Sequence, residues 1–212
     1  MIFMYLSRVQ LNVNLRETMK ALASPSKFHG AVESSFPGVK KRRLWRLDTL
    51  SGQQYILILS EDIPDLNNFA SQYGYVGNYE TKDYLPLLDK IRLGDHWGFR
   101  LTANPTISKM CENSRGKVLA HITVEHQKSW LIERSDNNGF SVKEDSFAVV
   151  QSKWYQFYKR DFDKSTVVKL LSVTFEGMLT ITDVDKFKET LCNGIGREKA
   201  YGMGLLTVVK RR

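Results

Sequence analysis

Hydrophobic and polar positions alternate through residues 3–11, where Tyr5, Ser7, Val9 and Leu11 share one side at a period of two; this predicts a first β-strand. Further on, Ser24-Pro25 offers an N-cap residue followed by a proline at the first helical position. Phe28, Ala31, Val32, Ser35 and Phe36 then recur at helical spacing, so a helix is predicted that turns this stripe to a core and stops at Phe36-Pro37-Gly38. Residues 44–50 and 55–59 read as a hairpin through Asp48-Thr49-Leu50-Ser51-Gly52. Residues 66–73 read as a second helix and residues 84–93 as a closing strand. The order strand-helix-strand-strand-helix-strand is the ferredoxin-like pattern.

The second half repeats this order. Residues 97–102 alternate as a strand, residues 125–134 are helical, and residues 167–182 hold two β-rich runs around a turn at Glu176-Gly177. Asp183 then caps a helix over residues 184–192, and residues 205–209 supply a last strand. The predicted class is α+β, with tandem ferredoxin-like (RRM-like) domains and a basic cleft or face. The division falls near Gly94-Asp95, giving domains 1–94 and 95–212. Element order carries this repeat, since self-similarity residue by residue is weak.

Composition narrows the class of molecule. The chain has 212 residues, 42% of them apolar and 25% charged, which argues against disorder, collagen-like repeats and coiled coil. Cys111 and Cys192 are too few for a disulfide framework or a Cys-x-x-Cys metal pair, so a reducing, cytoplasmic location is expected. The short apolar start does not read as a signal peptide, and no run approaches the roughly 18 apolar residues of a membrane helix. The 31 Lys and Arg exceed the 23 Asp and Glu, for a net charge of +8. That excess either keeps a small protein soluble or meets a polyanion.

The most unusual stretch is the glycine-rich loop containing Gly194, Gly196, Gly202 and Gly204, with Arg197 and Lys199 inside it. It fails the dinucleotide template at Lys199 and the P-loop template at Met203, so no nucleotide cofactor is expected. Two readings stay open for it: a backbone that approaches phosphate oxygens, or a turn that lets a helix and a strand pack. His29 lies one residue off the apolar stripe of the first helix, with Ser26 and Glu33 on the same flank. An imidazole there is either a surface group or a proton carrier near neutral pH that Glu33 orients. His96, His121 and His126 lack Cys or carboxylate partners at ligand spacing, and no metal site is expected. Basic residues gather at Lys40-Lys41-Arg42-Arg43, at Lys109, Arg115 and Lys117, at Lys153, Lys159, Arg160 and Lys164, and at Lys210-Arg211-Arg212. The third group is interleaved with Trp154, Tyr155, Phe157 and Tyr158, a mixture of cations and flat rings that suits RNA. Each cluster alone is equally a solvated face. No stretch fits the aromatic signature of base-stacking RRM sheets, so recognition is expected through shape and phosphate.

Several of these segments together resemble one family. Met4-Tyr5-Leu6-Ser7, Ser24-Pro25-Ser26-Lys27-Phe28-His29 with Phe36-Pro37 beyond it, Leu44-Trp45-Arg46-Leu47, the run Phe99-Arg100-Leu101-Thr102-Ala103-Asn104-Pro105, Phe175-Glu176-Gly177-Met178-Leu179-Thr180-Ile181 and the glycine-rich loop resemble, in the same order, the CasE endoribonucleases of type I-E CRISPR systems. The resemblance implies a metal-independent endoribonuclease without cofactor that binds the stem-loop of CRISPR repeats and cuts precursor CRISPR RNA at the 3′ base of the hairpin. It further implies that the product stays bound and the protein joins the other subunits of the Cascade complex. His29 falls on the family's catalytic histidine, with Lys199 or Arg197 expected to support the phosphate. RNA contacts are expected from Ser26, Lys27, Lys40, Lys41, Arg100, Lys109, Arg115, Lys117, Lys153, Lys159, Arg160 and Lys164. The chain departs from the pattern at Ser26, where many members carry tyrosine, and at Ser34, where some carry a basic residue. The second proton-transfer group is left unassigned by those departures. The rival reading, from another class, is a non-catalytic subunit that caps an RNA hairpin.

Overall fold

A computed structural model describes residues 3–39, 41–111, 114–161 and 164–210. Strand β1 (Tyr5–Leu11) is followed by helices α1 (Arg16–Ala23) and α2 (Pro25–Ser34), the hairpin β2 (Leu44–Leu50) and β3 (Gln53–Ser60), helix α3 (Asn67–Tyr73) and strand β4 (Gly74–Asp83). These strands form one antiparallel sheet in the order β2-β3-β1-β4. The period-two reading of β1 is visible in its burial: Ser7, Val9 and Leu11 face inward, while Arg8 points out and pairs with Glu80 directly across the ladder.

After a short helix α4 (Leu85–Leu88) come β5 (His96–Ala103), a two-stranded ribbon of β6 (Thr106–Cys111) and β7 (Ser114–Ala120), and helix α5 (Val124–Ser135). The edge strands β8 (Phe140–Ser141) and β9 (Phe147–Asp161), the long β10 (Lys164–Ile181), helix α6 (Val184–Asn193) and β11 (Leu206–Val209) complete the chain. Here β5 lies between β11 and β10, and both β8 and β9 pair along the other side of β10. With β8 and β9 taken as one edge, the second sheet repeats the topology of the first, which is the tandem ferredoxin-like arrangement. No helix among the described residues is long and apolar enough to cross a membrane.

Two expectations are corrected. The closing strand of the first sheet is Gly74–Asp83, not residues 84–93. Only Gly74 of it is buried and the rest is exposed or half-buried, as an edge strand allows, so periodicity does not betray it. The apolar run that follows is helical, with Pro86 accommodated in the first turn and Tyr84, Leu88 and Ile91 buried at helical spacing. Glu176-Gly177 is likewise no turn, because β10 runs unbroken through it with Glu176 opposite Arg100 and Gly177 opposite Phe99. A side chain at Gly177 would collide with the Ser146 carbonyl and Phe147 of the neighbouring strand. That crowding, with no need for chain reversal, accounts for the glycine.

The cap of α6 forms as expected, with the Asp183 carboxylate accepting the Lys186 N–H at 3.1 Å. At α2 the Ser24 hydroxyl pairs with the Ser26 hydroxyl at 3.0 Å, and only its carbonyl enters the helix, accepting from Lys27 N at 3.0 Å.

One core lies under the helical face of the first sheet, where Val9, Ile56 and Ile58 meet Phe28, Val32, Phe69 and Tyr73. A larger one joins Met4, Leu44 and Leu59, from the other face of that sheet, to α4, α5, α6 and the second sheet. At this seam the Arg46 guanidinium is 1% exposed and forks onto both oxygens of Asp48 at 2.8 and 2.6 Å. It also donates to the carbonyls of Arg100 and Leu205, at 2.7 and 2.8 Å, and to the Thr207 hydroxyl at 2.8 Å. One buried side chain therefore fastens β2 to β5 and β11.

Candidate functional site

Helix α2 sets the position of His29 through its neighbour. Phe28 is fully buried against the rings of Trp45, Phe69 and Tyr73. Successive helical residues are about 100° apart, so anchoring Phe28 leaves His29 half-buried on the flank of the helix. There its imidazole meets Tyr201 edge to face, with centroids 6.5 Å apart and planes at 69°. Tyr201 ends the 3-10 turn Lys199–Tyr201 inside the glycine-rich loop, and it packs in the same manner on Phe157 of β9, at 5.0 Å and 64°. Three segments remote in sequence meet at Tyr201.

Glu33 does not orient His29. Its carboxylate is held at 2.6 Å by Arg43, whose guanidinium lies 4.2 Å over the Phe36 ring. Arg43 is buried, and a buried guanidinium requires a counter-ion.

The glycine-rich loop connects the end of α6 to β11. Gly194, Gly196, Gly202 and Gly204 all adopt positive φ, at +70°, +83°, +80° and +91°. A Cβ on Gly202 would stand 2.5–2.9 Å from the Trp45 ring, and one on Gly196 would stand 3.2 Å from Trp130. The close approach these glycines permit is to the protein's own tryptophans, which favours the packing role of the two left open. Gly202→Ala is expected to lower stability by about 1–3 kcal/mol in urea unfolding. Gly38→Ala, also at positive φ but with open space around it, should cost less; equal losses would refute the role of Trp45.

Lys199 donates to the carbonyls of Asn193 and Gly194 at 2.7 and 3.0 Å, closing the C-terminus of α6. Those bonds use two of its three N–H donors. Burial and, after it, the nearby Arg42 charge lower its pKa. Arg197 is exposed and lies near Arg134, a cation that sequence reading passed over. Arg134 sits 4.6 Å over Trp130, one helical turn earlier on α5, and its pKa is lowered by burial with Arg197 contributing to the repulsion. The i, i+4 placement of an arginine after a core tryptophan is the signal that would have found it.

The other expected contacts scatter. Ser26 lies on the first turn of α2, three residues before His29; Lys27 is exposed, 3.8 Å from Glu17. Lys41 is matched by Asp62 at 2.9 Å and Glu61 at 3.4 Å, and the hydrogen bond to Asp62 leads in raising its pKa. Arg100 turns inward, bonded to Glu176 at 2.5 Å, with its Nε 3.2 Å from Asp48 as a charge contact without hydrogen-bond alignment. Its charge is matched by the protein's own carboxylates, so it serves the seam between the sheets. Lys109 and Lys117 are exposed and directly opposite each other on the β6–β7 ribbon, a like-charge pairing that costs stability in the absence of an anion. On β9 the Lys153 ammonium lies 4.5 Å over Tyr155; Phe157 is buried, while Trp154 and Tyr158 are 53% and 67% exposed. Lys40 lies outside the described residues, as do the side chains of Arg115, Lys159, Arg160 and Lys164. Among the described residues, no group of three or more His, Cys, Asp or Glu is placed to hold a metal ion.

A half-buried imidazole beside a loop that carries Lys199 and Arg197 is an arrangement suited to proton transfer next to a phosphate. CRISPR-associated proteins are among those this chain resembles. The CRISPR-associated endoribonuclease Cse3 of Thermus thermophilus is 29% identical over 219 aligned residues, covering 97% of this chain and 99% of that protein. The structure of Thermus thermophilus Cse3 bound to an RNA representing a pre-cleavage complex is similar at a TM-score of 0.81 and 27% identity, over 98% of this chain and 99% of that one. A CRISPR endoribonuclease Cse3 bound to a 19-nt RNA matches at 0.79 and 26%, over 97% and 99%. A family model described as CRISPR associated protein spans residues 4–210, and with a match of that extent this chain belongs to that family.

Proposed function

We propose that this protein is a metal-independent endoribonuclease that binds the stem-loop of a CRISPR repeat, cleaves precursor CRISPR RNA at the 3′ base of the hairpin, and stays with its product as a subunit of Cascade. The observation that carries the reading is the setting of His29, half-buried on the flank of α2 against Tyr201 of the loop that also carries Lys199 and Arg197. The exposed Lys109 and Lys117, directly opposite on the ribbon, are like charges that a bound anion would relieve. The Thermus relative adds support, being named an endoribonuclease and having been solved with a pre-cleavage RNA.

In this mechanism a ribose 2′-oxygen attacks the adjacent phosphorus, the bond from phosphorus to the 5′-oxygen breaks, and the products are a 2′,3′-cyclic phosphate and a 5′-hydroxyl. The 2′-hydroxyl proton must leave and the 5′-oxygen must gain one. His29 handles one of these transfers. Arg197, and Lys199 through its third N–H, offset the charge that develops on the phosphate. The nucleophile comes from the substrate, so the protein supplies alignment, proton transfer and cations.

A repeat RNA carrying a single 2′-deoxyribose at the cut is expected to bind with unchanged affinity and remain whole, while the all-ribose RNA is cut in EDTA into two fragments. Cleavage of the deoxy substrate would refute the 2′-hydroxyl as nucleophile. Loss of cutting in chelator would refute metal independence, and binding without any cutting would leave a passive hairpin-binding subunit.

A further inference from the structure

The side chain of a helical histidine is only partly determined by its helix. Its χ1 is confined to staggered wells, but the torsion that sets the plane of the imidazole is broad, so a neighbour must fix the direction in which the ring nitrogens point. On α2 no residue does this, since Glu33 is taken by Arg43. The ring that meets His29 is Tyr201.

Tyr201 is itself held firmly. Its backbone N–H donates to the Glu198 carbonyl at 2.9 Å, and the next residue is Gly202, pressed against Trp45 at a φ of +80°. Its ring lies on Phe157, which belongs to a small buried cluster with Leu170 and Met203. Phe157 in turn shares β9 with Lys153 and the exposed Tyr158. We propose that Tyr201 is the positioning residue for His29: its ring fixes the plane of the imidazole and, through Phe157, places that imidazole in register with the β9–β10 hairpin. Both of these contacts are made ring against ring, so the role belongs to the ring. The inference rests on the proposed nuclease reading and adds to it what orients the proton-transfer group.

The test is single-turnover cleavage of a repeat RNA at saturating protein, together with RNA affinity, for the full chain with Tyr201→Phe, Tyr201→Leu and His29→Ala. A misplaced catalytic group costs on the order of 10²-fold, so Tyr201→Leu is expected to lose about that much in rate with affinity unchanged, while Tyr201→Phe keeps the wild-type rate. Leucine retains an apolar contact with Phe157, which guards against mere unfolding. A second readout is the proton resonance of the His29 ring in histidine-labelled protein, identified by its disappearance in His29→Ala. The ring-current shift from Tyr201 should survive in the Phe variant and vanish in the Leu variant. Tyr201→Leu cutting at the wild-type rate while His29→Ala is inactive would overturn the positioning role and leave the nuclease reading intact. So would failure of Tyr201→Phe to restore the rate, or a loss confined to RNA affinity. Full activity in His29→Ala would take the proton transfer away from His29, and no cutting by the unaltered protein would overturn the nuclease reading itself.

Discussion

His29→Ala is expected to reduce the rate of RNA cleavage by roughly 10²- to 10⁴-fold while leaving hairpin affinity unchanged, the range that general acid–base assistance by one group supplies. The separation of rate from affinity follows from the position of the residue. His29 is a half-buried group on the flank of α2, and its core neighbour Phe28 carries the packing of that helix. Alanine is a good helix former, so the substitution removes the imidazole and its edge contact with Tyr201 with little other effect. The measurement is a single-turnover time course on a labelled repeat RNA, with binding followed separately by fluorescence anisotropy. An unchanged rate would place the proton-transfer group elsewhere.

The second large effect is on stability. Asp48→Ala is expected to cost about 3–5 kcal/mol, because it strands the Arg46 guanidinium, 1% exposed, without the carboxylate that both its fork nitrogens bond. Against a total stability of about 5–15 kcal/mol for a protein of this kind, that loss removes a large share of the margin. Arg46→Met combined with Asp48→Leu should recover much of it, since replacing a buried ion pair by apolar side chains of similar volume is often near neutral. Urea unfolding monitored by tryptophan fluorescence reads both. A cost below about 1 kcal/mol for Asp48→Ala would mean that the pair behaves as a surface salt bridge and does not hold the sheets together. The consequence extends to the site, because Arg46 binds the Leu205 carbonyl at the exit of the loop that carries Tyr201.

How much was legible in the sequence varied with the physical kind of signal. Strand β1, the stripe of α2, the hairpin β2–β3 and the Asp183 cap rest on interactions within a few residues, and each is found where periodicity and capping place it. Elements that bury little were missed. Helix α1 hides only Thr18 and Ala21, and β4 is an edge that buries only Gly74, so neither writes an apolar pattern. The β6–β7 ribbon went unread for the same reason, with Ile107, Val118 and Leu119 all largely exposed. Gly177 misled in the opposite sense: its glycine answers a crowding neighbour across the sheet, which no local reading contains.

By itself the sequence determined the strand and helix alternation behind the ferredoxin-like pattern in each half, the surplus of positive charge and the presence of one imidazole on the flank of α2. Those properties follow from spacing, propensity and composition, which act locally or simply add. Only the tertiary structure decided which cations face outward and which are neutralised, so that Arg100 answers Asp48 and Glu176 while Lys109 and Lys117 stand opposed in solvent. It alone brought Tyr201, backed by Phe157, to His29 from the far half of the chain. The reason is that side-chain partnership is set by how sheets and loops pack across long sequence separations, and a pattern of residue types along the chain carries no record of which distant surface each will meet.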